Sequence, residues 1–306
     1  MADHPTGAPA VSVVLTTYRR PHLVGRAAES VLRQTWTDLE LVIVDDASGD
    51  ATLSVLEAVA GRDPRVRVLT HSENRGLSAA RNTGINAARG RLIGFQDDDD
   101  EWRADKLERQ EALLAVRPDI DVVTCLEEWR RGDGTSVIRD VRLDGDVRDR
   151  LRREDLVHMQ TLLVRRRCLD DVGGFDERLF HHEDMDMALR LAARSRWATV
   201  AEPLHIFHVT PGSLSTDVAR RLDALRTILG SHPELTSDRR IHSLWRYRIG
   251  RYEAERGQRA TWRRELVGAL RLWPFNVRAL AGLLLGPEAN VRLARVKNRA
   301  ARLAHR

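Results

Sequence analysis

The chain has 306 residues, of which 42% are hydrophobic, enough for a core in one large α/β domain with an appendage or in two domains. Its formal net charge of +5 is unevenly divided, because residues 238–306 contain 17 Lys and Arg against 5 Asp and Glu and the preceding part is acidic. The basic part could attract nucleic acid, but no zinc-finger spacing or aromatic RNA-binding signature accompanies it, so we expect no nucleic-acid partner.

In the first part of the chain, apolar β-branched runs alternate with helical patterns. The runs predict buried strands and the segments between them predict helices, the first of which opens at Pro21. The predicted strands are residues 11–15, 39–44, 66–69 and 92–95, and the predicted helices are residues 21–32, 51–60 and 77–89. This alternation is typical of an α/β fold in which helices cover a mainly parallel central sheet.

The second part of the chain continues with less regular elements. The pattern predicts a helix over 104–116, strands over 122–125, 137–141 and 161–164, and a tight turn over 173–176. A further helix begins near Glu183 and Asp184, where carboxylates are stabilised by the helix dipole. Beyond residue 216 the pattern is helical. We therefore predict a disordered N-terminus over 1–10, a domain over 11–215 and a basic helical extension over 216–306.

Cysteine use and hydrophobic run lengths bear on the location of the protein. Cys125 and Cys168 lack the spacing of a metal site and are expected to be reduced core residues. The first apolar run is too short for a signal peptide, and the longest one, residues 279–285, is too short to cross a bilayer, which takes about 20 residues. We expect a cytoplasmic protein, with peripheral contact to the inner face of the cell membrane as an open alternative.

Polar residues follow three of the predicted strands. These are Thr16 to Tyr18, Asp45 with Asp46, and the four consecutive carboxylates Asp97 to Asp100. Parallel strands share one direction, so all three clusters are expected at the same edge of the sheet, where ligands bind in such folds. Four adjacent carboxylates are unfavourable unless solvent or a cation screens them, and hard divalent cations take carboxylate ligands. A solvated acidic turn is the alternative.

With these segments in place, the chain resembles a family 2 glycosyltransferase with the GT-A fold. The matching segments occur in the family's order and cover roughly residues 10–215. They are VSVVLTTY at 11–18, VDDASGDAT at 44–52, ENRGLSAARN at 73–82, FQDDDD at 95–100, GGFDE at 173–177, and Glu183-Asp184. The resemblance implies a bacterial inverting enzyme, a nucleotide-sugar donor, most simply a UDP-sugar, and a Mg²⁺ or Mn²⁺ ion. It also divides the domain into a nucleotide-sugar-binding half over 11–103 and an acceptor-binding half over 104–215.

The resemblance assigns the acidic run to the donor and its metal. Asp99 is the expected direct metal ligand, and Asp97 or Asp98 would meet the ribose or a metal-bound water. Because four aspartates are adjacent, the register of these roles stays open. A divalent ion would neutralise the charge that develops on the leaving nucleoside diphosphate.

Other donor-binding residues are also implied by the resemblance. Thr16, Tyr18 and Asp46 would line the nucleoside pocket, with Asp46 accepting from a uracil N–H and Tyr18 covering a ring face. The alternatives are a solvated tyrosine and a helix-capping aspartate. Arg81 would face the diphosphate as a charge-assisted donor, unless it forms a salt bridge on the helix surface.

For the acceptor, Asp184 matches the family's catalytic base. Glu183, Gly174 and Phe175 are its expected acceptor-binding neighbours. An inverting displacement needs this one base and no enzyme nucleophile. The alternative for Asp184 is an ordinary helix-terminal charge. One departure concerns His208, which takes the usual Arg position of a family segment; we predict it as a metal ligand, against the alternative of a His satisfied by backbone hydrogen bonds.

The C-terminal tail and the acceptor are predicted less specifically. Val291, Val296, Ala300 and Leu303 form a narrow apolar stripe among arginines, so the tail could lie on an anionic membrane or cap the domain. The acceptor would be a hydroxyl of a glycan, a lipid-linked glycan or a secondary metabolite, in cell envelope polysaccharide biosynthesis. The alternatives are a catalytically silent sugar-nucleotide-binding or scaffold protein on the same fold, and a nucleotidyltransferase, which would need a Gly-rich basic loop near the first strand.

Overall fold

The computed structural model of the protein describes residues 7–209 and 217–288. The chain divides into two units. The first is formed by Met1–Arg148, Leu156–Arg178 and Asp184–Thr210, and the second by Asp149–Asp155, Leu179–Glu183 and Pro211–Arg306. The predicted boundary at 215/216, most of the predicted disordered N-terminus and the apolar stripe of the tail lie outside the described residues.

The first unit begins with four parallel strands. Strand order along this part of the sheet is β3-β2-β1-β4, and every residue of β1 and β2 is buried. Strands buried on both faces have no polar alternation, which explains their mainly apolar sequence; Ser12 and Glu40, the polar residues inside them, hydrogen-bond to each other. The elements are β1 (Val11–Thr17), α1 (Val24–Leu32), β2 (Leu39–Asp45), α2 (Thr52–Ala60), β3 (Val66–Thr70), α3 (Leu77–Ala87) and β4 (Leu92–Asp97).

The sheet continues beyond β4 with shorter and mixed pairings. The full order is β3-β2-β1-β4-β8-β6-β9-β5, with β7 paired to β6. β8 is antiparallel to both of its neighbours, whereas the long pair β6 and β9 is parallel. The elements are β5 (Glu101–Trp102), α4 (Lys106–Val116), β6 (Val122–Arg131), β7 (Ser136–Arg139), a 3₁₀ turn (Met159–Thr161), β8 (Leu163–Arg165), α6 (Arg166–Val172), α7 (Glu183–Ala192) and β9 (Trp197–Val209); α5 (Arg148–Arg153) precedes the 3₁₀ turn. The predicted α/β fold class is confirmed.

Two glycines allow neighbouring elements to pack closely, one in α3 and one in β4. A side-chain carbon at Gly84 would collide with Val14, so glycine there lets α3 lie directly against β1. A carbon at Gly94 would lie 3.1 Å from the Trp102 ring, which packs across β4. As a result, α3 carries Arg81, one turn before Gly84, over the carboxyl edge of the sheet.

The second unit is mainly helical in the part of it that the structure describes, and it includes most of α5. Its C-terminal helices are α8 (Val218–Ser231), α9 (Glu234–Ser237), α10 (Arg239–Glu255), α11 (Arg259–Leu272) and α12 (Val277–Leu285). The Asp217 and Asp238 carboxylates cap α8 and α10 by accepting backbone N–H bonds. Trp262, Leu266 and Ala279 form a small core. Within residues 7–209 and 217–288, no helix combines the length and apolarity needed to span a membrane.

Candidate active site

The three polar strand ends meet, as the sequence predicts. Thr16 lies in register with Val44 of β2 on one side and with Asp97 of β4 on the other. Thr17 pairs with Asp45 in the same way. The parallel direction of β1, β2 and β4 therefore brings all three clusters to one edge of the sheet.

The four carboxylates of the acidic run have different surroundings. Asp98 accepts a hydrogen bond of 2.7 Å from the Thr17 hydroxyl. Arg20 donates from Nη1 to Asp99 Oδ2 at 2.5 Å and lies 3.6 Å from Asp98 Oδ1. Asp100 instead turns towards β9, where it accepts from the His208 backbone N–H at 2.9 Å. The first three aspartates thus lie together at the carboxyl edge of the sheet, and the side chain of the fourth points to the interior beside β9.

Arg81 connects the acidic run to Asp184. Its guanidinium donates to Asp184 Oδ1 at 2.6 Å and to Asp97 Oδ1 at 3.1 Å. The guanidinium is 2% exposed and its carbon lies 5.2 Å from the centre of the Phe175 ring. Two carboxylates that are remote in the sequence therefore face one buried cation, and the surface salt bridge considered for Arg81 is not what forms.

Neighbouring groups of the 3₁₀ turn fix the two carboxylates further. The Met159 backbone N–H donates to Asp184 Oδ2 at 3.1 Å, and the Gln160 amide donates to Asp97 Oδ2. Both oxygens of Asp184 are therefore held, at the first turn of α7. Such fixed orientation is what a general base needs.

Burial and charge crowding raise two pKa values in the site. Burial raises the pKa of Asp97 to about 6, with Arg81 opposing the rise and Asp99 and Asp184 adding to it. Burial also raises the pKa of Asp98 to about 7, against the influence of Arg20 and Thr17. Burial is the main cause of both shifts, and the neighbouring arginines oppose it only in part.

The donor chemistry of this edge fits a hard divalent cation. Mg²⁺ and Mn²⁺ take carboxylate oxygens, and Asp97, Asp98 and Asp99 place three carboxylates next to one another in the sequence at this edge. In this arrangement, Arg20 bridges Asp98 and Asp99. Among the described residues, no group of three or more His, Cys, Asp and Glu side chains is arranged to hold a metal ion. The residues fit the ion by type, and its ligation by Asp99 stays a prediction.

Asp46 organises the loop that leads into α3. Its carboxylate accepts from the backbone N–H groups of Arg75 at 2.9 Å and Gly76 at 2.8 Å, and lies 2.7 Å from His71 Nδ1. Gly76 is the residue immediately before α3, so this carboxylate fixes the start of α3, whereas Asp50 accepts from the Thr52 N–H at the start of α2. A role of Asp46 towards a uracil stays a prediction.

Thr16 and Tyr18 lie at the end of β1 in contrasting environments. Thr16 is buried, whereas Tyr18 is 39% exposed and has the Arg19 guanidinium 5.1 Å from its ring centre. An exposed ring at a strand end is available to a base or sugar face. The nucleoside pocket that the sequence predicts from these residues stays a prediction.

The residues predicted to bind the acceptor have separate places in the fold. Gly174 has φ +76°, and a side-chain carbon there would lie 2.7 Å from the Asn82 amide, so the turn requires glycine. Phe175 is buried against Phe95, with ring centres 5.5 Å apart, and supports Arg81 from below. Glu183 begins α7. Contact of these residues with an acceptor stays a prediction.

His208 is engaged with its own strand neighbours. Its Nε2 lies 2.7 Å from Glu101 Oε1, and its backbone N–H donates to Asp100. The His208 ring is therefore paired with a carboxylate. The alternative for this residue, a ring satisfied by backbone hydrogen bonds, is not what forms. Its predicted role as a metal ligand is not tested by these contacts.

Several residues of the site are missing from the sequence prediction. Arg20, Met159 and Gln160 contact the predicted carboxylates, and His205 lies between Asp100 and Glu127 at 3.2 Å from each. For Arg20 a signal existed, because it follows β1 at the same edge as the acidic run. For the others no local pattern distinguishes them from ordinary loop and strand residues.

Comparison with known proteins identifies the family. The sequence model of glycosyl transferase family 2 matches residues 12–159. The chain is 32% identical to the succinoglycan biosynthesis protein ExoO of Rhizobium meliloti over 238 residues, which are 73% of this chain and 67% of ExoO. It is 40% identical over 105 residues to the Escherichia coli UDP-Glc:alpha-D-GlcNAc-diphosphoundecaprenol beta-1,3-glucosyltransferase WfgD, or 34% of this chain and 40% of WfgD. The chain thus spans less than half the length of WfgD.

Solved structures show the same fold. Residues 1–349 of S. aureus TarS, in complex with UDP-GlcNAc, superpose with a TM-score of 0.70 at 19% identity, covering 92% of this chain and 88% of that one. The mannosyltransferase PcManGT of Pyrobaculum calidifontis, in complex with GDP-Man and Mn²⁺, gives a TM-score of 0.62 at 22% identity, covering 97% and 89%. The fold is therefore the GT-A fold, the predicted enzyme class of glycosyltransferase is confirmed, and the chain belongs to glycosyl transferase family 2.

Proposed function

We propose that this glycosyltransferase moves a sugar, with inversion and with the help of a divalent cation, from a nucleoside diphosphate donor to a hydroxyl of a glycan or lipid-linked glycan. One observation carries the proposal: Arg81 lies 2.6 Å from Asp184 and 3.1 Å from Asp97, so the proposed base and the acidic run belong to one site. Sugar transfer requires the donor and the acceptor to be bound next to each other. A base adjacent to the donor site meets this requirement.

The donor half of the proposal rests on the edge formed by β1, β2 and β4. Tyr18 offers an exposed ring at the end of β1, and Asp46 keeps the nearby loop ordered. TarS is described with UDP-GlcNAc and WfgD is named for UDP-Glc, so we propose a UDP-sugar here. PcManGT is described with GDP-Man, which makes a guanosine donor the alternative that an experiment has to separate.

The cation would be held by Asp99, with Asp97 or Asp98 nearby, and would supply positive charge to the leaving diphosphate. Arg20 and Arg81 are fixed positive groups at the same edge. Fixed charges aimed at developing negative charge stabilise a transition state without reorganisation. We therefore propose that these arginines contribute to stabilising the departing diphosphate alongside the cation.

For the acceptor, Asp184 would accept the hydroxyl proton at one carboxylate oxygen as the acceptor oxygen attacks the anomeric carbon. The Met159 N–H and Arg81 hold the two carboxylate oxygens, so the carboxylate is oriented before the acceptor arrives. A single displacement of this kind inverts the anomeric carbon and needs no covalent enzyme intermediate.

The acceptor class follows from the relatives by analogy. ExoO is named for succinoglycan biosynthesis and WfgD for a diphosphoundecaprenol acceptor. We propose that this chain also acts in cell envelope polysaccharide biosynthesis, on a lipid-linked or growing glycan at the cytoplasmic face of the membrane.

A panel of nucleotide sugars tests the proposal. The full chain is incubated with UDP-, GDP- and dTDP-sugars with Mn²⁺ or Mg²⁺, and thermal stabilisation and release of free nucleoside diphosphate are measured. We expect donors with one of the three nucleosides to stabilise the protein and to be slowly hydrolysed when the cation is present. In Asp99→Asn, neither the stabilisation nor the hydrolysis should depend on the cation. Failure of every donor to stabilise the protein would contradict the proposal, while stabilisation without any turnover would indicate a silent sugar-nucleotide-binding protein.

A further inference from the structure

The helical unit carries an exposed apolar surface on α12. Of the nine large hydrophobic side chains that are most exposed in the described residues, five fall within residues 275–285. They are Phe275 at 76%, Val277 at 72%, Leu280 at 46%, Leu284 at 76% and Leu285 at 57% exposure. Scattered apolar residues are ordinary on protein surfaces, but a contiguous group in one short segment marks an interaction site.

The geometry of α12 makes this group a continuous face. Val277, Leu280 and Leu284 recur at helical spacing and so lie on one side of the helix. The opposite side, with Ala279 and Leu283, packs against the small core of α11. A surface helix with one buried side is normally polar on the other side, and α12 is apolar on both.

Basic residues lie near the start of α12, beside this face. Arg271 and Arg278 are exposed at the end of α11 and on α12, the Arg239 guanidinium lies 3.3 Å from the Arg271 carbonyl oxygen, and that of Arg240 lies 6.0 Å from the Trp273 ring centre. Within the ranges that the structure covers, none of these four arginines is at salt-bridge distance from a carboxylate. The positive charge around the apolar face is therefore uncompensated.

Basic character extends along α10 and α11. An open cavity of about 630 Å³ on these helices has arginine at four of its eight lining positions, Arg246, Arg263, Arg264 and Arg271. Only Arg246 and Arg264 among them face a carboxylate in the described residues, that of Glu265. The surface thus combines an apolar face with a strongly positive border.

We propose that this face of α12, bordered by Arg239, Arg240, Arg271 and Arg278, docks the protein on an anionic lipid bilayer. The apolar side chains would enter the boundary between headgroups and acyl chains, and the arginines would meet the lipid phosphates. The inference goes beyond the proposed function, because it concerns the helical unit and its test needs neither donor nor acceptor.

Charge argues against two other occupants of the same face. A second copy of the chain, meeting it through a twofold axis, would bring the unpaired arginines of both copies together. The tail, residues 289–306, contains six Lys and Arg and no Asp or Glu, so it would be repelled by the same border. An anionic surface is the occupant whose charge complements this face.

Vesicle flotation of the full chain tests the proposal. Vesicles of phosphatidylcholine alone are compared with vesicles that also contain phosphatidylglycerol, without donor or acceptor. We expect flotation with the anionic vesicles and its loss in the double variant Leu280→Glu with Leu284→Glu. The variant Arg271→Gln with Arg278→Gln should lower the partition coefficient about thirtyfold, because each Arg near an anionic surface contributes about 1 kcal/mol and about 1.4 kcal/mol is tenfold.

Val116→Glu is the matched control, since Val116 is 73% exposed on α4 and belongs to the other unit. It should float like the unmodified protein. Unchanged flotation of the Leu280→Glu, Leu284→Glu variant would overturn the proposal. So would a dimer in light scattering that this variant converts to a monomer, or flotation that depends only on residues 289–306. Thermal stabilisation by the donor is also measured in these variants. If it is retained while flotation is lost, only membrane docking has failed and the proposed function is unaffected.

Discussion

Arg81 and Asp184 form a hydrogen-bonded ion pair of 2.6 Å although 103 residues separate them in the sequence. Arg81 sits on α3, which Gly84 allows to pack against β1, and Asp184 sits in the first turn of α7. The same guanidinium also contacts Asp97 at the end of β4. The Arg81 guanidinium therefore links residues from the two halves of the first unit at the proposed site of transfer.

Replacing Arg81 by methionine should destabilise the protein and lower turnover. The guanidinium is 2% exposed, and removal of one partner from a buried ion pair typically costs about 3–5 kcal/mol because the remaining charge is left uncompensated. Urea unfolding measures the stability change. Arg81→Lys should recover part of the stability but less of the turnover, since a lysine cannot reproduce the two-sided geometry.

Arg75→Gln provides the control for this prediction. Arg75 pairs with Glu177 at 3.3 Å, and both side chains are 46% exposed, so its loss should change stability by at most about 1 kcal/mol. Equal effects of the Arg75 and Arg81 variants would contradict the role given to Arg81.

The affinity of the site for Mn²⁺ should depend on pH. The pKa values of Asp97 and Asp98 are raised to about 6 and about 7, and a cation binds only their ionised forms. Affinity should therefore fall as pH falls through about 7 and then about 6, by about tenfold per pH unit for each carboxylate below its pKa. Calorimetric titration with Mn²⁺ over this range measures it, and a pH-independent affinity would show that these carboxylates do not take part.

The same two carboxylates make an opposite prediction for stability without the cation. Their raised pKa values mean that the folded protein binds protons more tightly than the unfolded chain, so their contribution to the free energy of unfolding falls as pH rises from about 4 towards about 7. Asp98→Asn should weaken this dependence. Thermal unfolding over that pH range checks it, and an unaltered pH profile in the variant would count against the assignment.

Arg20 should compete with the divalent cation. Its Nη1 lies 2.5 Å from Asp99 and 3.6 Å from Asp98, so a cation that binds these carboxylates has to replace its charge. We expect Arg20→Gln to bind Mn²⁺ about tenfold more tightly, since close charge pairs near a protein surface interact by a few kcal/mol and partial compensation remains. Electron paramagnetic resonance of free Mn²⁺ gives the affinity directly.

Arg19→Gln separates contact from general charge. Arg19 carries the same charge one residue earlier, but its side chain donates to the Ser48 carbonyl oxygen at 3.1 Å. It should change Mn²⁺ affinity much less than Arg20→Gln does. Equal effects would mean that only the net charge of the region matters.

His205 should make stability depend on alkaline pH. It is fully buried, and its two ring nitrogens lie 3.2 Å from Asp100 and from Glu127, which oppose the effect of burial and raise the pKa of His205 to about 9. A raised histidine pKa contributes stability that is complete below about 6.5 and is lost as pH rises through about 9. We expect a loss of a few kcal/mol across that range, measured by urea unfolding. His205→Gln should abolish it, and a persistent loss in the variant would assign it to another group.

The parallel half of the fold could be predicted because its strands are short, mainly apolar runs. β1 and β2 are buried along their whole length, and the strand direction then fixes where Thr16, Asp46 and Asp97 emerge. β9 was not predicted. Its sequence contains Pro203 and two histidines, and its polar residues are accommodated by pairing with buried acids such as Glu127 rather than by exposure. A buried polar strand has no simple hydrophobic period.

The composition of the site could be predicted from the sequence better than its contacts could. Asp184 and the acidic run follow from segments that resemble the family. The pairing of Arg20 with Asp99, and of Arg81 with Asp184, depends on distances in space between elements far apart along the chain. Phe175 shows the same limit, because its ring supports Arg81 from the interior.

The central claim is that Asp184 is the base of a sugar transfer whose donor binds at the acidic run. Transfer and donor affinity are measured for Asp184→Asn beside Glu183→Gln, its neighbour in the first turn of α7. We expect Asp184→Asn to lower kcat by about 10²–10⁴, the usual contribution of a general base, with donor affinity retained. Transfer by Asp184→Asn at the unmodified rate, with the donor bound equally well, would contradict the claim.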